Sequence, residues 1–154
     1  MGKRIMMGLL LAVVVLGGAW WLWVRSARGF SANAKPTWIE ARVAALSRWL
    51  ALPGGQSEIK NPFPATAERL AAARQLYHTQ CAACHGDSGD GQVALGQAMY
   101  PKVPDLRRLG KPDGAVFYSI RNGIRLSGMP AWSSQDSDEQ IWGLVSLLGT
   151  MKNP

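Results

Sequence analysis

The chain has 154 residues, a net charge of +7 and two cysteines. This length suits one modest domain with an appendage, and two cysteines exclude a disulfide-rich scaffold. Residues 1–64 carry eight Lys and Arg against two acidic residues, whereas residues 65–154 carry nine against eight. The basic excess therefore belongs to the N-terminal part. This argues against a nucleic-acid partner, which would require a basic stripe on the folded domain.

Residues 5–24, IMMGLLLAVVVLGGAWWLWV, form an uncharged apolar run. Twenty helical residues span about 30 Å, the thickness of the hydrocarbon core of a bilayer. Indole rings prefer the membrane interface, and three lie near the end of the run: Trp20, Trp21 and Trp23. The alternative is a cleaved signal peptide, because Ala32-Asn33-Ala34 offers an A-x-A site. We favour a retained transmembrane helix, because that site lies well beyond the run and the run is long for a signal sequence.

Residues 25–64 are predicted to connect this helix to a domain. Lys35-Pro36 is typical of a helix start, and apolar residues then recur at helical spacing: Trp38, Ile39, Val43, Leu46, Trp49 and Leu50. We expect the charged residues of this 36–50 helix on its other faces: Glu40, Arg42 and Arg48. The apolar face is expected either on a membrane surface or packed on the domain or a partner subunit.

The domain itself is predicted to cover residues 65–154. Pro53-Gly54-Gly55 ends the amphipathic helix, and the stiff NPFP segment at residues 61–64 leads to the next element. Thr66 can then cap a helix that runs to about Gln80.

Both cysteines lie in CAACHGDSGDG, residues 81–91. Cys81, Cys84 and His85 form the C-x-x-C-H pattern of c-type haem attachment. Two thiols one helical turn apart can bond to two vinyl groups on one porphyrin edge, while the histidine reaches the iron. A zinc site usually needs two distant ligand pairs, whereas these residues and His78 lie within eight positions. A thioredoxin-like dithiol requires a βαβ setting, which the flanking sequence lacks. The motif therefore predicts covalently bound haem c.

A second axial ligand should come from far downstream and approach the opposite face of the haem. His78 precedes the cysteines on the same helix, so we expect it to be an exposed residue on the attachment side. Met129 lies in LSGMPAW, where a glycine and a proline bend and stiffen the backbone, as a weak thioether–iron bond requires. Met99 is expected to pack in the core, and Met151 to lie in a frayed last turn.

Two more helices are predicted downstream. The segment PDGAVFYSIRNG begins at Pro112 and closes at Gly123. Ser137 and Gln140 form a capping-box pattern ahead of an apolar stretch that begins at Ile141. Candidate donors to the haem propionates lie between these helices or at their ends: Arg121, Asn122, Arg125 and Trp132.

With CAACHG near its start and GMPAW near its end, the segment 65–154 resembles a class I monohaem cytochrome c, a family with membrane-tethered members. The resemblance implies an all-α domain around one haem, preceded here by the transmembrane and amphipathic helices. It also implies that the first and last helices cross through a small residue and an aromatic. The candidates are Ala73 and Tyr77 against Trp142 and Val145.

The resemblance further implies that a proline carbonyl in PKVPDL accepts a hydrogen bond from His85, and Pro104 is the preferred candidate over Pro101. Such a contact fixes the orientation of the ring and raises its basicity.

Ligation by His85 and Met129 would fill both axial positions of the iron. Catalysis at the iron is then disfavoured, so we expect an electron-transfer protein rather than an enzyme. The resemblance implies assembly outside the bacterial cytoplasmic membrane, with residues 1–4 in the cytoplasm and residue 25 onward in the periplasm. The expected partners are the bilayer and a terminal oxidase, a quinol-oxidising complex or a dehydrogenase. The alternatives are a fixed haem subunit of a membrane oxidoreductase and a haem-based sensor, which would need Met129 to detach.

Overall fold

The computed structural model describes residues 2–26, 31 and 34–152. Ala32 and Asn33 of the A-x-A pattern lie outside these residues. So do residue 1 of the predicted cytoplasmic segment, residues 27–30 of the predicted connecting region and residues 153–154 of the predicted domain. Within the described part, every regular element is helical, which confirms the all-α prediction. The helices are α1 (Gly2–Arg25), α2 (Trp38–Leu50), α3 (Ala67–Gln80), α4 (Ala82–His85), α5 (Ala94–Ala98), α6 (Asp113–Asn122) and α7 (Asp138–Met151). Two 3-10 turns cover Gln56–Glu58 and Leu106–Arg108.

Helix α1 has 24 residues, and none of them is buried. Among the described residues it is the one helix long and apolar enough to cross a membrane. The Arg25 guanidinium lies 4.8 Å from the centre of the Trp21 ring. A helix that is apolar all round and has every backbone group bonded internally meets the physical requirement for a bilayer span.

Helix α2 begins at Trp38, two residues later than predicted. Thr37 is the N-cap: its side chain accepts from the Glu40 N–H, and the Glu40 carboxylate accepts from the Thr37 N–H at 2.6 Å. This reciprocal capping box lies one position after Pro36, so the threonine and not the proline starts the helix. The prediction for Arg42 was also wrong. Residues four apart share a helix face, and Arg42 lies four after Trp38 and four before Leu46.

The core forms where α3, α6 and α7 pack together, and α7 contributes its three most deeply buried side chains, Ile141, Leu144 and Leu147. The predicted extents of these helices are confirmed, including the Thr66 cap and the Ser137–Gln140 capping box.

The contact between α3 and α7 differs from the expectation in one respect. Ala73, Tyr77, Trp142 and Val145 are all buried in the core. However, the Trp142 ring stacks on Phe117 of α6, with ring centres 4.3 Å apart. The small residues provide the close approach, because a Cβ built on Gly143 would lie 3.6 Å from the Cβ of Ala73.

The second half of the predicted connecting region packs on the core helices. The Gln56 side-chain amide donates to the Gly114 carbonyl at 2.9 Å. The Asn61 amide donates to the Trp142 carbonyl at 3.1 Å and to the Ser146 hydroxyl at 2.8 Å. Residues 36–154 accordingly form one compact unit, and residues 1–35 form another.

Candidate haem site

The two cysteines lie where α3 meets the single turn of α4. Cys81 is both the last cap of α3 and the first cap of α4, and its carbonyl accepts from the N–H groups of Cys84 at 3.1 Å and His85 at 2.9 Å. The thiols are therefore one helical turn apart. The buried Tyr77 hydroxyl donates to the Gly86 carbonyl at 2.8 Å, which fastens the end of α4 to α3.

Both thiols are free and half-buried. Burial raises the pKa of the Cys81 thiol to about 11, and the nearby Asp136 and Cys84 act in the same direction. Burial similarly raises the pKa of Tyr77, so its hydroxyl remains a donor. The Cys81 thiol is thus held protonated at neutral pH. The described residues contain no cluster of three or more His, Cys, Asp and Glu side chains suited to a metal ion.

The His85 imidazole is held neutral. Burial lowers its pKa, and the Pro104 carbonyl opposes this with a smaller effect. Its Nδ1 is buried, yet makes no well-aligned hydrogen bond among the described residues. The Pro104 carbonyl is thus close enough to affect the pKa of His85, although it forms no hydrogen bond with Nδ1 that meets the usual distance and angle limits. A neutral imidazole is the form that binds a metal.

Met129 is half-buried and packs against the core cluster. Its loop is closed by two hydrogen bonds: the Ile124 N–H donates to the Met129 carbonyl at 3.1 Å, and the Met129 N–H donates to the Ser127 hydroxyl at 3.2 Å. Gly123, with φ +68°, leaves room for this loop, since a Cβ there would lie 2.8 Å from the Met129 carbonyl oxygen. The glycine and the proline that bend the backbone at Met129 are evident from the sequence, whereas the support from Ser127 and Gly123 depends on contacts within the folded loop.

The other methionines occupy different positions. The Met99 side chain lies against Gly128, where its methyl group fills the space that a Cβ would need. Met151 packs on the core cluster beside Gly89, so the expectation of a frayed residue was wrong. His78 is exposed as predicted, and its Nδ1 lies 2.9 Å from an Asp87 carboxylate oxygen.

The candidate propionate donors have different partners in the structure. Arg121 forms an ion pair with Asp138 at 2.8 Å. The Asn122 amide donates to the Tyr118 carbonyl at 3.0 Å, and Arg125 is exposed. Trp132 packs against the core cluster, and its backbone N–H donates to the Ile120 carbonyl at 3.2 Å.

One buried polar group beside the motif was not predicted. Asp136 is only 6% exposed, and one of its oxygens accepts from the Gln80 side-chain amide at 3.2 Å. The other carboxylate oxygen and the Gln80 Oε1 have no partner among the described residues. The sequence carries no signal for this burial, because Asp136 stands in an ordinary polar loop before the α7 cap.

These residues fit a covalently attached haem. Two reduced thiols stand one turn apart on a helix, a neutral half-buried imidazole follows them, and a thioether is held on a braced loop that packs on the same core. An all-α domain with this set of groups defines a c-type cytochrome.

Comparison with known proteins gives the family. The model of the family described as cytochrome c oxidase, cbb3-type, subunit III matches residues 68–148, more than half of the chain. The chain therefore belongs to this family of cytochrome c domains, and its cofactor is covalently bound haem c with iron. The sequence-based prediction of the cofactor is thereby confirmed.

Curated relatives include proteins of two kinds. A thiosulfate dehydrogenase of Stutzerimonas stutzeri (strain A1501) is 35% identical over 142 residues, covering 81% of this chain and 45% of the relative. A CcoP subunit of the cbb3-type cytochrome c oxidase of Azospirillum sp. (strain B510) is 33% identical over 87 residues, covering 55% of this chain and 29% of the relative. The chain thus spans less than half the length of either relative.

A solved structure shares the fold. A chain of the reducing HAO-like protein complex of Kuenenia stuttgartiensis superposes with a TM-score of 0.55 at 18% identity, covering 62% of this chain and 50% of that chain. At this identity the likeness concerns the fold alone.

Proposed function

We propose that this chain is a membrane-tethered cytochrome that carries single electrons between respiratory or dehydrogenase complexes on the periplasmic side. Two observations support the proposal: a neutral, half-buried His85 ends the helical turn that carries the two thiols, and Met129 lies on a braced loop packed against the core. A haem ligated on both faces has no open position for substrate, which favours electron transfer over catalysis at the iron.

Each residue has a separate task in this proposal. Cys81 and Cys84 would hold the porphyrin by thioether bonds, and His85 would bind the iron through its imidazole, with the Pro104 carbonyl available to orient the ring. Met129 would bind the iron through its sulfur. The haem contributes an iron that alternates between the ferrous and ferric states. Methionine ligation raises the reduction potential relative to two histidines, so we expect a moderately positive value.

Helix α1 provides the tether, with residues 1–4 in the cytoplasm and the haem domain in the periplasm. Two observations support this: α1 has the length and exposed apolar surface of a span, and relatives include a subunit of a respiratory oxidase. A tether converts a free encounter with a membrane complex into a local search at high effective concentration.

The assignment of Met129 as an iron ligand is tested by replacing Met129 and Met99 one at a time. Met129→Ala should abolish the weak red absorption of the ferric protein that reports a methionine–iron bond, because the ligand is lost. Met99→Ala is the matched control, since Met99 lies against the same loop, and it should keep the band. Loss of the band in Met99→Ala and its survival in Met129→Ala would assign the ligand to Met99.

A second candidate function is a fixed haem subunit of a membrane oxidoreductase, which the match to the oxidase subunit III family favours. Mild detergent extraction of native membranes, followed by size separation, distinguishes the two. A free carrier migrates alone, whereas a fixed subunit co-migrates in constant proportion with other chains.

A further inference from the structure

Helix α2 presents a large apolar face that nothing in the described chain covers. Its six large apolar side chains are between 55% and 77% exposed: Trp38, Ile39, Val43, Leu46, Trp49 and Leu50. The helix is nevertheless well formed, because a complete capping box closes its first turn. A stable helix with an uncovered apolar face requires a covering surface.

We propose that α2 is a second membrane element, which lies along the bilayer surface with this face among the lipid headgroups and upper acyl chains. This inference rests on the proposed function only through the anchor α1. Twelve residues separate Arg25, where α1 ends, from Trp38. Even a fully extended connection of this length reaches only about 45 Å, so the anchor keeps α2 close to the bilayer.

The composition of the face favours lipid over a protein partner. Arg42 lies within the apolar arc, on the same side as Trp38 and Leu46. In a helix–protein contact its charge would be buried and would need an acidic partner. At a membrane surface the guanidinium can reach lipid phosphates while its aliphatic stem stays beside the tryptophans.

The polar side of α2 is connected to the haem domain. Glu40, the acidic residue of α2, accepts from the Thr37 N–H through one carboxylate oxygen and from the Tyr100 hydroxyl, at 3.3 Å, through the other. Tyr100 follows Met99, the residue that contacts Gly128 beside the axial-ligand loop. A membrane-bound α2 would thus orient the haem domain relative to the bilayer, rather than leaving it to swing on the anchor alone.

The test uses two variants of the haem-loaded full chain. Each carries one nitroxide spin label, on the apolar side of α2 in the first variant and on the polar side in the second. Attached haem blocks Cys81 and Cys84, so a cysteine introduced as Leu46→Cys or Ala44→Cys is the single labelling site. Leu46 lies in the middle of the apolar face, and Ala44, two residues before it, lies on the opposite side of the helix. The labelled chains are reconstituted in vesicles of phosphatidylcholine with phosphatidylglycerol. Collision rates are then measured with oxygen, which concentrates in lipid, and with a nickel chelate, which stays in water.

We expect a several-fold higher oxygen-to-nickel ratio at Leu46 than at Ala44. Equal, water-like ratios at both positions would overturn the proposal. So would a Leu46 nitroxide shielded from both reagents, or one broadened by a second nitroxide nearby, because these results indicate a protein partner or a second copy.

Two controls separate this inference from the proposed function. The unmodified chain should take up no label, and labelling of Cys81 or Cys84 would refute covalent haem attachment. A nitroxide introduced by Val14→Cys reports on α1, and a water-exposed signal there would refute the tether. The comparison of Leu46 with Ala44 still decides where α2 lies.

Discussion

Asp136 is a buried acidic residue close to the attachment motif. Its carboxylate is buried, receives a single hydrogen bond from Gln80, and acts electrostatically on Cys81. A buried negative charge stabilises ferric iron relative to ferrous iron and therefore lowers the reduction potential.

Replacing this charge should raise the potential. Coulomb's law gives about 1–2 kcal/mol for unit charges roughly 10 Å apart at an effective dielectric of about 20, or roughly 40–80 mV for one electron. We expect Asp136→Asn to shift the midpoint upward by that order in a spectroelectrochemical titration. Asp138→Asn is the control, because Asp138 is exposed and paired with Arg121. An equal shift in both variants would contradict a specific effect of the buried carboxylate.

Leu126 is the one described residue other than glycine with a positive φ, at +61°, and its side chain is 91% exposed. A left-handed backbone costs a residue with a Cβ roughly 1–2 kcal/mol. Because the Leu126 side chain is exposed, no free energy of burial offsets this cost. Leu126→Gly should therefore be more stable than Leu126→Ala, by about 1 kcal/mol, because alanine keeps the strain. Thermal unfolding followed at the haem band measures the difference. Equal melting temperatures would show that the loop relaxes around residue 126.

At the scale of elements, helices with strong local signals were predictable. Thr66, the pair Ser137 and Gln140, and Gly123 mark helix ends through chemistry that acts within a few residues, and the structure places the ends there. The missed features depend on distant contacts. The 3-10 turn at residues 56–58 is held by α6, and the burial of Asp136 depends on Gln80, 56 residues away.

The candidate site also has one part that local sequence patterns predict and another part that depends on distant contacts. The attachment motif and the bend at Met129 are local patterns, so the sequence predicts which residues to consider. The partners of the propionate candidates are set by tertiary packing, and Arg121 is occupied by Asp138. The stacking of Trp142 on Phe117 was missed for the same reason, since several apolar faces of the helices could have met.

Two helical glycines should respond differently to the same substitution. A Cβ on Gly114 would overlap the Gln56 carbonyl and lie 2.7 Å from the Ile59 carbonyl oxygen. A Cβ on Gly143 would meet only Ala73, at an ordinary 3.6 Å. We expect Gly114→Ala to destabilise the domain by roughly 1–3 kcal/mol and Gly143→Ala to be neutral or stabilising by up to about 1 kcal/mol.

Denaturant unfolding of the haem-loaded chain in detergent measures both variants. If Gly143→Ala lowered the free energy of unfolding as much as Gly114→Ala, this would show that α3 and α7 cannot separate by even a small amount.

At the scale of the whole molecule, the chain divides into a unit that holds the apolar helix α1 and a unit that holds the core. Residues 36–154 include the core cluster and the attachment motif, whereas the described residues before position 36 contribute to neither. The basic charge follows this division, because residues 1–35 carry five Lys and Arg and no acidic residue, and residues 36–154 carry twelve against ten. The proposed anchor α1 and the haem-binding residues therefore belong to separate units of the chain.

Removal of the anchor should change kinetics and leave the haem unaltered. A chain that lacks residues 2–35, exported behind a cleavable signal, should keep the spectrum and midpoint potential of the full chain. Its oxidation by membranes should become proportional to its concentration, because the local search provided by the tether is lost. An amphipathic helix alone binds a bilayer only reversibly, so a high-pH carbonate wash should release this shortened chain. The full chain should need detergent for release and should react at a rate independent of dilution. A shortened chain that stays with the membranes and keeps a dilution-independent rate would instead indicate a fixed subunit, held by protein contacts.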